Sequence, residues 1–478
     1  MNKTRKPKAG VLLMASPRFK SLGAGTRRGT YAHRKTAEIE SILPAWQKDM
    51  DVVFPGIIYE RADIEAAMDR FFLEKVDLII AEFLSWSEDF AWIRFLRDMP
   101  DVPVLFVNPA KEKMPFTSTL DEDDFIEYLC NGTLVGSLEA AGSVARTGRG
   151  HVTTIVGSRA DLSRKAAIHA AAARVKSLLR QSTIGLLANY NEAMWSTYID
   201  PYNVFTRLGP EIQFIAYCTY ADAIKAVGDR EFLEYKNELL ASYKMMDDVD
   251  DEKFDASVRA SLALAKLGAQ CNIDAMVFND IDPAMFKLIG LRAGFYHPWF
   301  NENNSVLVPE ADMGAGIITY ILKLLSGRHV NFIEPFHMET EHGAFAGGHA
   351  GPNDHNDPAW RHNVIIARDV RFAKTNYKYA GAPFAWYRIS PGRKTLAQLV
   401  EENGGYKLVC TLADSLPGDH LLATYSHSIF KPLVPMEQLF ERVMKIGTTQ
   451  HFAVVDGDYR EHLRLLSEMM NFEYHDIT

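Results

Sequence analysis

Short apolar runs that alternate with amphipathic stretches constrain the fold of this chain more than any other feature. Helical patterns such as Arg61–Lys75 and Phe90–Asp98 separate these runs in the first third of the sequence. The runs have strand length and are rich in aliphatic residues: Gly10–Ala15, Val52–Ile58, Val76–Phe83 and Val104–Val107. Continuous apolar strands separated by helices are typical of a parallel sheet with helices on both faces. The pattern predicts an N-terminal α/β domain over residues 1–180.

A second α/β round begins near Ile184. Its strand-like runs are Ile184–Asn189, Ile212–Tyr217 and Ala275–Asn279, with helical patterns between them. Ligands of such sheets bind beyond the carboxyl ends of the strands. Polar residues follow two of these runs and could border a site: Asn189, Asn191, Glu192, Asn279, Asp280 and Asp282. The alternative is that they form strand-end turns and helix caps. We predict a central α/β domain over residues 181–328.

The alternation of strand-like and helical patterns ends after about Gly327. Strand-like runs then follow one another with turn residues between them and few helical patterns: Val330–Phe336, His362–Phe372, Phe384–Ile389, Leu408–Leu412 and His420–Tyr425. Such a succession of strands indicates a mostly antiparallel or barrel-like domain. We predict that this C-terminal β-rich domain spans residues 329–478.

Composition and charge exclude several classes of function. The chain has 478 residues, which is too long for one ordinary domain, and a net charge of −9. A nucleic-acid partner needs a basic surface, so none is expected. The four cysteines show no CxxC spacing and indicate reduced thiols in a cytoplasmic protein. No apolar run approaches the length of a membrane span, so no membrane partner is expected.

The first apolar run and the glycine-rich stretch after it each imitate a known signal. Gly10–Ala15 follows a basic start, as in a signal peptide, but it has only strand length and predicts the first strand. The stretch Ser21–Gly29 resembles a phosphate loop superficially and lacks the GKS or GKT ending. Arg18, beside the first strand, is a candidate substrate contact, with an ordinary surface arginine as the alternative.

Two carboxylates and an imidazole stand out in the segment from Glu310 to His349. Glu310 follows the apolar run Val306–Val308 and precedes the helical pattern Ile317–Leu325. The alternative role of this carboxylate is a favourable charge in the first turn of that helix. Glu334 interrupts an apolar strand pattern, where an unpaired carboxylate is costly if it is buried. Its alternative is a strand position that faces solvent.

His349 lies in the small-residue turn GGHAG, where other groups can approach the imidazole closely. Other histidines nearby could compete as ligands: His337, His342, His355 and His362. The sequence contains no HExxH or CxxC…H pattern, which gives a zinc hydrolase little support. Two carboxylates and an imidazole that a fold brings together form a hard divalent-metal site with acid–base capability. Such a site suits chemistry on a hydroxylated carbonyl compound.

Several motifs together resemble the L-arabinose isomerase and L-fucose isomerase superfamily. The strongest match is VLVPEADMGAGIITYILKLLSG followed by NFIEPFHME and AFAGGHAG, in the order and approximate spacing of arabinose isomerase. The start GVLLMASPRF resembles the first strand and substrate loop of that family. Further similar segments are NGTLVGSLEAAGSVARTGRGHVTTIVGS, IGLLANYNEAM and, near the C-terminus, IGTTQHFAVVDGDYREHLRLLSEM. The resemblance is remote and covers most of the chain.

The resemblance implies a ligand set, an assembly and a fold. It makes Glu310, Glu334, His349 and His451 the metal ligands, and the two glutamates the proton-transfer pair. Met194 falls where the family places a residue near a neighbouring subunit's site. Oligomers, typically hexamers with sites between subunits, are the family's assemblies. The implied fold is two Rossmann-like parallel-sheet domains followed by a mostly antiparallel, β-barrel-containing domain.

The sequence departs from the family pattern around the implied metal site. Where the family has two histidines in tandem, this chain has Gln450 followed by His451. Where arabinose isomerases have Phe-x-Glu-Asp-Tyr, Pro335 and Phe336 replace the last two residues. Arg18 stands where they carry a neutral, glutamine-type contact. The implied ligands are retained while the substrate shell differs, so L-arabinose is not assigned.

The sequence predicts a divalent-metal-dependent aldose–ketose isomerase that acts on a small sugar through an enediol. Oxygen ligands with two imidazoles suit Mn²⁺, with Co²⁺ or Mg²⁺ as alternatives. Two other classes of function stay open. The chain could be a non-catalytic sugar-binding or regulatory relative, because a fold alone does not establish an activity. It could also be a metal-dependent epimerase or aldolase on an acidic or phosphorylated sugar, because arginines near Arg18 match carboxylate and phosphate geometry.

Overall fold

The computed structural model describes residues 3–113, 121–371, 381–423 and 425–478, except for the side chain of Leu288. The chain divides into two compact units: Arg5–Ser177, and Met1–Thr4 with Leu178–Thr478. Two residues of predicted strands lie outside the described residues: Phe372, at the end of one run, and Thr424, within another. Among the helices of the described residues, none has the length and apolar composition needed to cross a bilayer.

The N-terminal unit is a parallel α/β sheet. Its strands are β1 (Lys8–Met14), β2 (Asp51–Val53), β3 (Ile57–Ile58), β4 (Leu78–Phe83), β5 (Val104–Pro109) and β6 (Val152–Gly157). Its helices are α1 (Tyr31–Gln47), α2 (Arg61–Glu74), α3 (Phe90–Asp98), α4 (Glu122–Asn131), α5 (Thr133–Thr147) and α6 (Arg159–Leu179). The strands are ordered β2-β1-β4-β5-β6, with β3 also paired to β1, so the chain leaves β1 in both directions as in doubly wound sheets.

The predicted strand Val52–Ile58 is divided into β2 and β3. Pro55 and Gly56 lie between the two strands, and Gly56 has a φ of +118°. Proline has no N–H to donate to the ladder, and a positive φ breaks the extended backbone. The other predicted strands of this unit correspond to β1, β4 and β5, because their apolar runs contain no such interruption.

The C-terminal unit begins with a second parallel sheet. Its strands are β7 (Thr183–Leu187), β8 (Glu211–Ile215), β10 (Ala275–Phe278) and β11 (Val306–Val308), and a short strand β9 (Lys244–Met245) lies outside this sheet. The order is β11-β10-β7-β8, so the sheet reverses its direction of growth between β7 and β10. The carboxyl ends beside such a reversal are the usual ligand-binding edge of an α/β sheet.

Helices of very different length connect and follow these four strands. They are α7 (Pro201–Asn203), which continues as a π-helix at Val204–Leu208, α8 (Tyr217–Lys225), α9 (Asp229–Ser242), α10 (Asp251–Gln270), α11 (Pro283–Ile289), α12 (Trp299–Glu302) and α13 (Met313–Ser326). Asp250, Asp282 and Asp312 accept hydrogen bonds from the first backbone N–H groups of α10, α11 and α13. These caps fix where each helix begins, because the first N–H groups have no partner within the helix.

The last third of the chain forms a closed antiparallel barrel. Its strands are β12 (Val330–Glu339), β13 (Ala344–His349), β16 (Gly392–Glu402), β17 (Gly405–Ser415), β18 (Ser426–Pro432) and β19 (Phe452–Asp456). They are ordered β16-β19-β12-β13-β18-β17, and β17 pairs with β16 to close the barrel. The remaining elements are β14 (Ile365–Arg368), β15 (Pro383–Trp386), α14 (Met436–Ile446), α15 (Arg460–Met470) and β20 (Glu473–Asp476).

The predicted fold class is confirmed, because two parallel sheets precede an antiparallel barrel. The change from parallel to antiparallel strands falls between β11 and β12. The predicted division into three domains stays a prediction. One predicted strand is misplaced, since the run His420–Tyr425 ends directly before β18, which begins at Ser426.

Candidate metal centre

Three predicted ligands converge where the second sheet meets the barrel. Glu310 follows β11 at the carboxyl edge of the sheet, His349 ends β13, and His451 immediately precedes β19. One donor atom from each of these side chains lies within 4.8 Å of the other two. The imidazoles are buried and the Glu310 side chain is 14% exposed. The three side chains therefore form one compact group.

The backbone at Glu310 adopts an uncommon conformation. Glu310 and Ala311 have φ values of 63° and 55°, in the left-handed region that favours glycine. Each such residue costs on the order of 1–3 kcal/mol unless its surroundings hold it in place. The N–H of Glu310 donates to Asp280 Oδ1 at 2.9 Å, and the N–H of Ala311 donates to the carbonyl of Phe278 at 3.1 Å. The end of β10 thus holds the turn that presents the Glu310 carboxylate.

Both imidazoles are anchored through Nδ1. His349 Nδ1 donates to the carbonyl of Ala350 at 2.6 Å, and His451 Nδ1 donates to Asp312 Oδ2 at 2.9 Å. Each acceptor is an oxygen without a hydrogen, so the Nδ1 of each ring must carry the proton. The Nε2 atoms then face Glu310, at 3.4 Å from Oε1 for His349 and 3.4 Å from Oε2 for His451. Metal-binding histidines are typically oriented in this way.

The donor set fits a divalent cation. His451 Nε2 is buried and makes no hydrogen bond of good geometry with the described residues, and Glu310 Oε2, 3.4 Å away, is its ion-pair neighbour. A buried polar atom without such a bond is costly, so such an atom that faces a carboxylate and a second imidazole suggests a ligand. Two imidazole nitrogens with a carboxylate are donors that Mn²⁺, Co²⁺ and related ions accept. Glu310, His349 and His451 would hold such a cation.

The charges of the group follow from its packing. Burial by itself raises the pKa of Glu310, but His349, His451 and Arg292 outweigh it and hold the pKa well below its usual range. Burial lowers the pKa of His451, whereas Asp312 and Glu310 raise it, with a net value of about 9. In the cation-free protein His451 is therefore protonated at neutral pH. A cation must displace that proton to reach Nε2.

Glu334 lies beside this group without joining it. In the β12–β19 register Ile333 pairs with Phe452, so Glu334 and His451 are the next residues along the two strands. The ring of Phe332, two residues earlier on β12, lies 4.5 Å from both imidazole rings. The Glu334 carboxylate is half-buried and is not a member of the group within 4.8 Å. Its predicted role as a ligand stays a prediction.

The two candidate substrate contacts have different surroundings. Met194 follows β7, and Gln450 Nε2 approaches its Sδ at 2.7 Å, next to His451. Met194 thus borders the candidate centre. Arg18 belongs to the N-terminal unit, where its Nε lies 3.0 Å from Glu88 Oε1 and its guanidinium stacks over Trp86.

The competing histidines are placed elsewhere. His355 is buried and bonds the N–H of Tyr296 and the hydroxyl of Tyr243. His342 lies in the β12–β13 turn with Glu339 and Glu341, the other group of potential metal ligands among the described residues. The side chains of that group are largely exposed, and Glu339 accepts the turn's own hydrogen bonds. Exposed carboxylates of this kind are ordinary turn residues.

Two buried side chains at the centre escaped the sequence analysis. Asp312 caps α13 through Oδ1 and binds His451 through Oδ2. A sequence pattern reveals only its role as a cap, because an aspartate before a helix is common. Arg292 contacts Glu310, yet no motif surrounds it. Asp280 and Asn191, by contrast, were among the polar strand-end residues, and Asn191 Nδ2 donates to the carbonyl of Glu310 at 3.3 Å.

Comparisons with known proteins add no family to this description. The chain matches no protein-family model and no curated protein sequence. The candidate centre therefore stands on its own geometry and on the resemblance of the motifs.

Proposed function

We propose that the protein is a divalent-metal-dependent aldose–ketose isomerase. The observation that carries the proposal is the convergence of two Nδ1-anchored imidazoles on the carboxylate of Glu310, at 3.4 Å from each Nε2 atom. The low pKa of Glu310 keeps this carboxylate ionised at neutral pH. The carboxyl edge of an α/β sheet is also where small substrates bind.

The residues divide the chemistry between them. Glu310, His349 and His451 would hold a divalent cation, which would supply Lewis-acid polarisation of the substrate carbonyl. We assign to Glu334 the removal of the proton from the carbon beside the carbonyl, because its carboxylate makes no hydrogen bond or ion pair within the described part of the chain. Glu310 would move a proton from the substrate hydroxyl to the former carbonyl oxygen, and Glu334 would return its proton to the former carbonyl carbon to complete the isomer. Each well-placed acid or base contributes about 10²- to 10⁴-fold to the rate.

The residues that are expected to surround the substrate favour a sugar other than L-arabinose. Gln450 replaces an imidazole of the family pattern and contacts Met194. The apolar Pro335 and Phe336 follow Glu334, and the Phe336 side chain is 39% exposed. These residues offer fewer polar groups to substrate hydroxyls than the family pattern does. The sugar is therefore to be found by a screen.

A screen of aldoses and ketoses with Mn²⁺ in D₂O, followed by NMR, tests the proposed activity. We expect conversion between an aldose and its ketose, with deuterium entering at the carbon beside the carbonyl. Conversion without exchange would indicate a hydride shift or a shielded proton and would remove the enediol step. Lack of conversion on a broad panel would favour a sugar-binding protein, and a change in stereochemistry alone would favour an epimerase.

Two glutamate variants test the assigned residues on the substrate that the screen identifies. Glu310→Gln removes a ligand and a proton carrier, so we expect kcat/KM to fall by at least about 10²-fold. Glu334→Gln should lower kcat by a similar factor, and a weaker Mn²⁺ affinity of this variant would support the predicted role of Glu334 as a fourth ligand. Glu341→Gln, in the exposed β12–β13 turn, is the matched control. Near-normal turnover of Glu310→Gln would disprove the assignment.

Assembly and location follow from the family resemblance and the cysteine pattern. We propose a cytoplasmic homo-oligomer, with a hexamer as the expected state. Light scattering on the purified protein gives its mass directly, and a monomer would remove the proposed role of Met194 at a neighbouring site.

A further inference from the structure

Arg292 joins two carboxylates at the base of the candidate centre. Its Nη2 donates to Glu310 Oε1 at 3.0 Å, and its Nε donates to Asp280 Oδ2. The side chains of Arg292 and Asp280 are only 4% and 1% exposed. Buried charges are tolerated when they are paired and hydrogen-bonded, and this arginine is paired on both sides.

Asp280 holds both parts of Glu310. Its Oδ1 accepts the backbone N–H of Glu310 at 2.9 Å, and its Oδ2 accepts the Arg292 side chain that binds the Glu310 carboxylate. The left-handed turn of Glu310 and the direction of its side chain therefore depend on the same aspartate.

The same pair contacts the turn that follows His349. Gly351 has a φ of +89°, and a Cβ atom there would lie 2.9 Å from Asp280 Oδ2 and 3.1 Å from Arg292 Nε. Only glycine fits at this distance and in this conformation. His349, two residues earlier, donates to the carbonyl of Ala350 within this turn. The Arg292–Asp280 pair thus packs against the supports of two of the three ligands.

The pairing also sets the orientation of the Glu310 carboxylate. Arg292 binds Oε1, which is the oxygen nearest His349 Nε2, and Oε2 then lies nearest His451 Nε2. Rotation of the carboxylate would break the bond to Arg292. We propose that Arg292, held by Asp280, is a positioning residue that presents Glu310 to a divalent cation. This inference rests on the cation site of the proposed function.

Lysine at this position separates geometry from charge. The guanidinium is a planar fork that bonds two carboxylates at once, whereas an ammonium group is a point charge on a flexible stem. Arg292→Lys therefore keeps the positive charge beside Asp280 and loses the fixed direction of Glu310. A purely charge-balancing arginine would tolerate this change, and a positioning arginine would not.

The test is a Mn²⁺ titration of the full-length protein followed by electron paramagnetic resonance. We expect Arg292→Lys to raise the Kd for Mn²⁺ by about 10- to 100-fold, as loss of a residue that orients a metal ligand typically does. The spectrum of the bound ion should change as well, because the ligand geometry is altered. Neither activity nor substrate is needed for this measurement.

A half-buried arginine with the same pairing gives a matched control. Arg159, in the N-terminal unit, also bridges two carboxylates, at 2.5 Å to Glu82 and 3.2 Å to Glu38. Arg159→Lys should leave the Mn²⁺ affinity and spectrum unchanged. If thermal melting shows that Arg292→Lys is not folded, Asp280→Asn is the second test variant. We expect Asp280→Asn to weaken Mn²⁺ binding in the same direction.

The outcomes separate this inference from the proposed function. Unchanged Mn²⁺ affinity and spectrum in folded Arg292→Lys and Asp280→Asn would overturn the positioning role and leave the isomerase proposal intact. A wild type that binds Mn²⁺ but isomerises no sugar would remove the isomerase proposal alone. A wild type that binds none of Mn²⁺, Co²⁺ and Mg²⁺ would overturn both.

Discussion

The Asp312 carboxylate at the candidate centre both caps a helix and orients a candidate ligand. Asp312 bonds the N–H of Ala315 through one oxygen and His451 through the other, at 2.9 Å in each case. Thr449 adds a bond to the second oxygen at 3.2 Å. Because one side chain begins α13 and orients an imidazole, a change at Asp312 would disturb the helix and the site together.

A half-buried histidine that pairs with a buried aspartate elsewhere in the C-terminal unit has a definite pH dependence. His329 Nδ1 lies 2.9 Å from Asp354 Oδ2. Burial lowers the pKa of His329, but the charge of Asp354 outweighs it and raises the pKa above its usual value. Burial raises the pKa of Asp354, whereas His329 and Lys323 lower it below its usual value. Between the pKa of Asp354 and the pKa of His329, the aspartate is negatively charged and the histidine is positively charged.

His329→Gln tests this pair. The raised pKa of His329 means that its stabilisation is complete below a pH of about 6.5 and is lost as the pH rises through the folded-state pKa. We expect urea unfolding at about pH 6 to show a loss on the order of 1 kcal/mol, which shrinks toward about pH 9. His33→Gln, which removes an exposed imidazole from the N-terminal unit, is the control. A constant difference across the pH range would contradict the assignment.

At the scale of the element, α13 is pressed against two sheets. A Cβ at Gly314 would lie 2.1 Å from the carbonyl oxygen of Leu399 on β16, and one at Gly316 would lie 2.3 Å from Val277 Cγ2 on β10. These glycines let the helix approach both the barrel and the parallel sheet. The helix begins directly after Asp312, so this close packing also places the site.

Gly316→Ala tests the close approach of the helix. We expect the added methyl group to lower the free energy of unfolding by about 1–3 kcal/mol through overpacking. Mn²⁺ affinity should fall as well, since the start of α13 must shift. Gly142→Ala in α5, where no atom lies within 4 Å of the new Cβ, should stabilise the protein by about 0.5–1 kcal/mol. Equal effects of the two substitutions in urea unfolding would disprove the packing argument.

At the scale of the whole molecule, each compact unit has its own hydrophobic core. The N-terminal core includes Phe83, Trp92 and Phe106, and the C-terminal core includes Ile333 and Phe452 of the barrel. The C-terminal unit contains the three convergent ligands, and it also contains Asp280, Arg292 and Asp312. The candidate cation site is therefore built within one unit.

Mn²⁺ should accordingly protect one unit more than the other. A ligand that binds only the folded state stabilises it by about 2.7 kcal/mol at a concentration of 100 Kd. We expect hydrogen exchange followed by mass spectrometry to show that peptides from 178–478 exchange more slowly with Mn²⁺ than without it. Peptides from 5–177 should be unaffected. Equal protection of both groups of peptides would contradict the placement of the site.

The sequence by itself determined the fold class and most of the candidate ligands. Apolar runs alternating with helical patterns predicted the parallel sheets, because the period of burial is a local property of the chain. The motif order singled out Glu310, His349 and His451, which the fold brings together. The apolar pattern predicted one strand through Pro55 and Gly56, but the structure has two strands, because these residues interrupt the extended backbone.

The tertiary structure alone decided which side chains meet those ligands. Arg292 lies in no motif, and Asp312 lies in the Glu310 motif with only the pattern of a helix cap. Their partners are 18 and 139 residues away in the chain. Strand register and side-chain direction left the Glu334 carboxylate outside the convergent group, although Glu334 lies next to His451 in the sheet. Contacts of this kind depend on how distant segments pack, and a local sequence pattern carries no record of that packing.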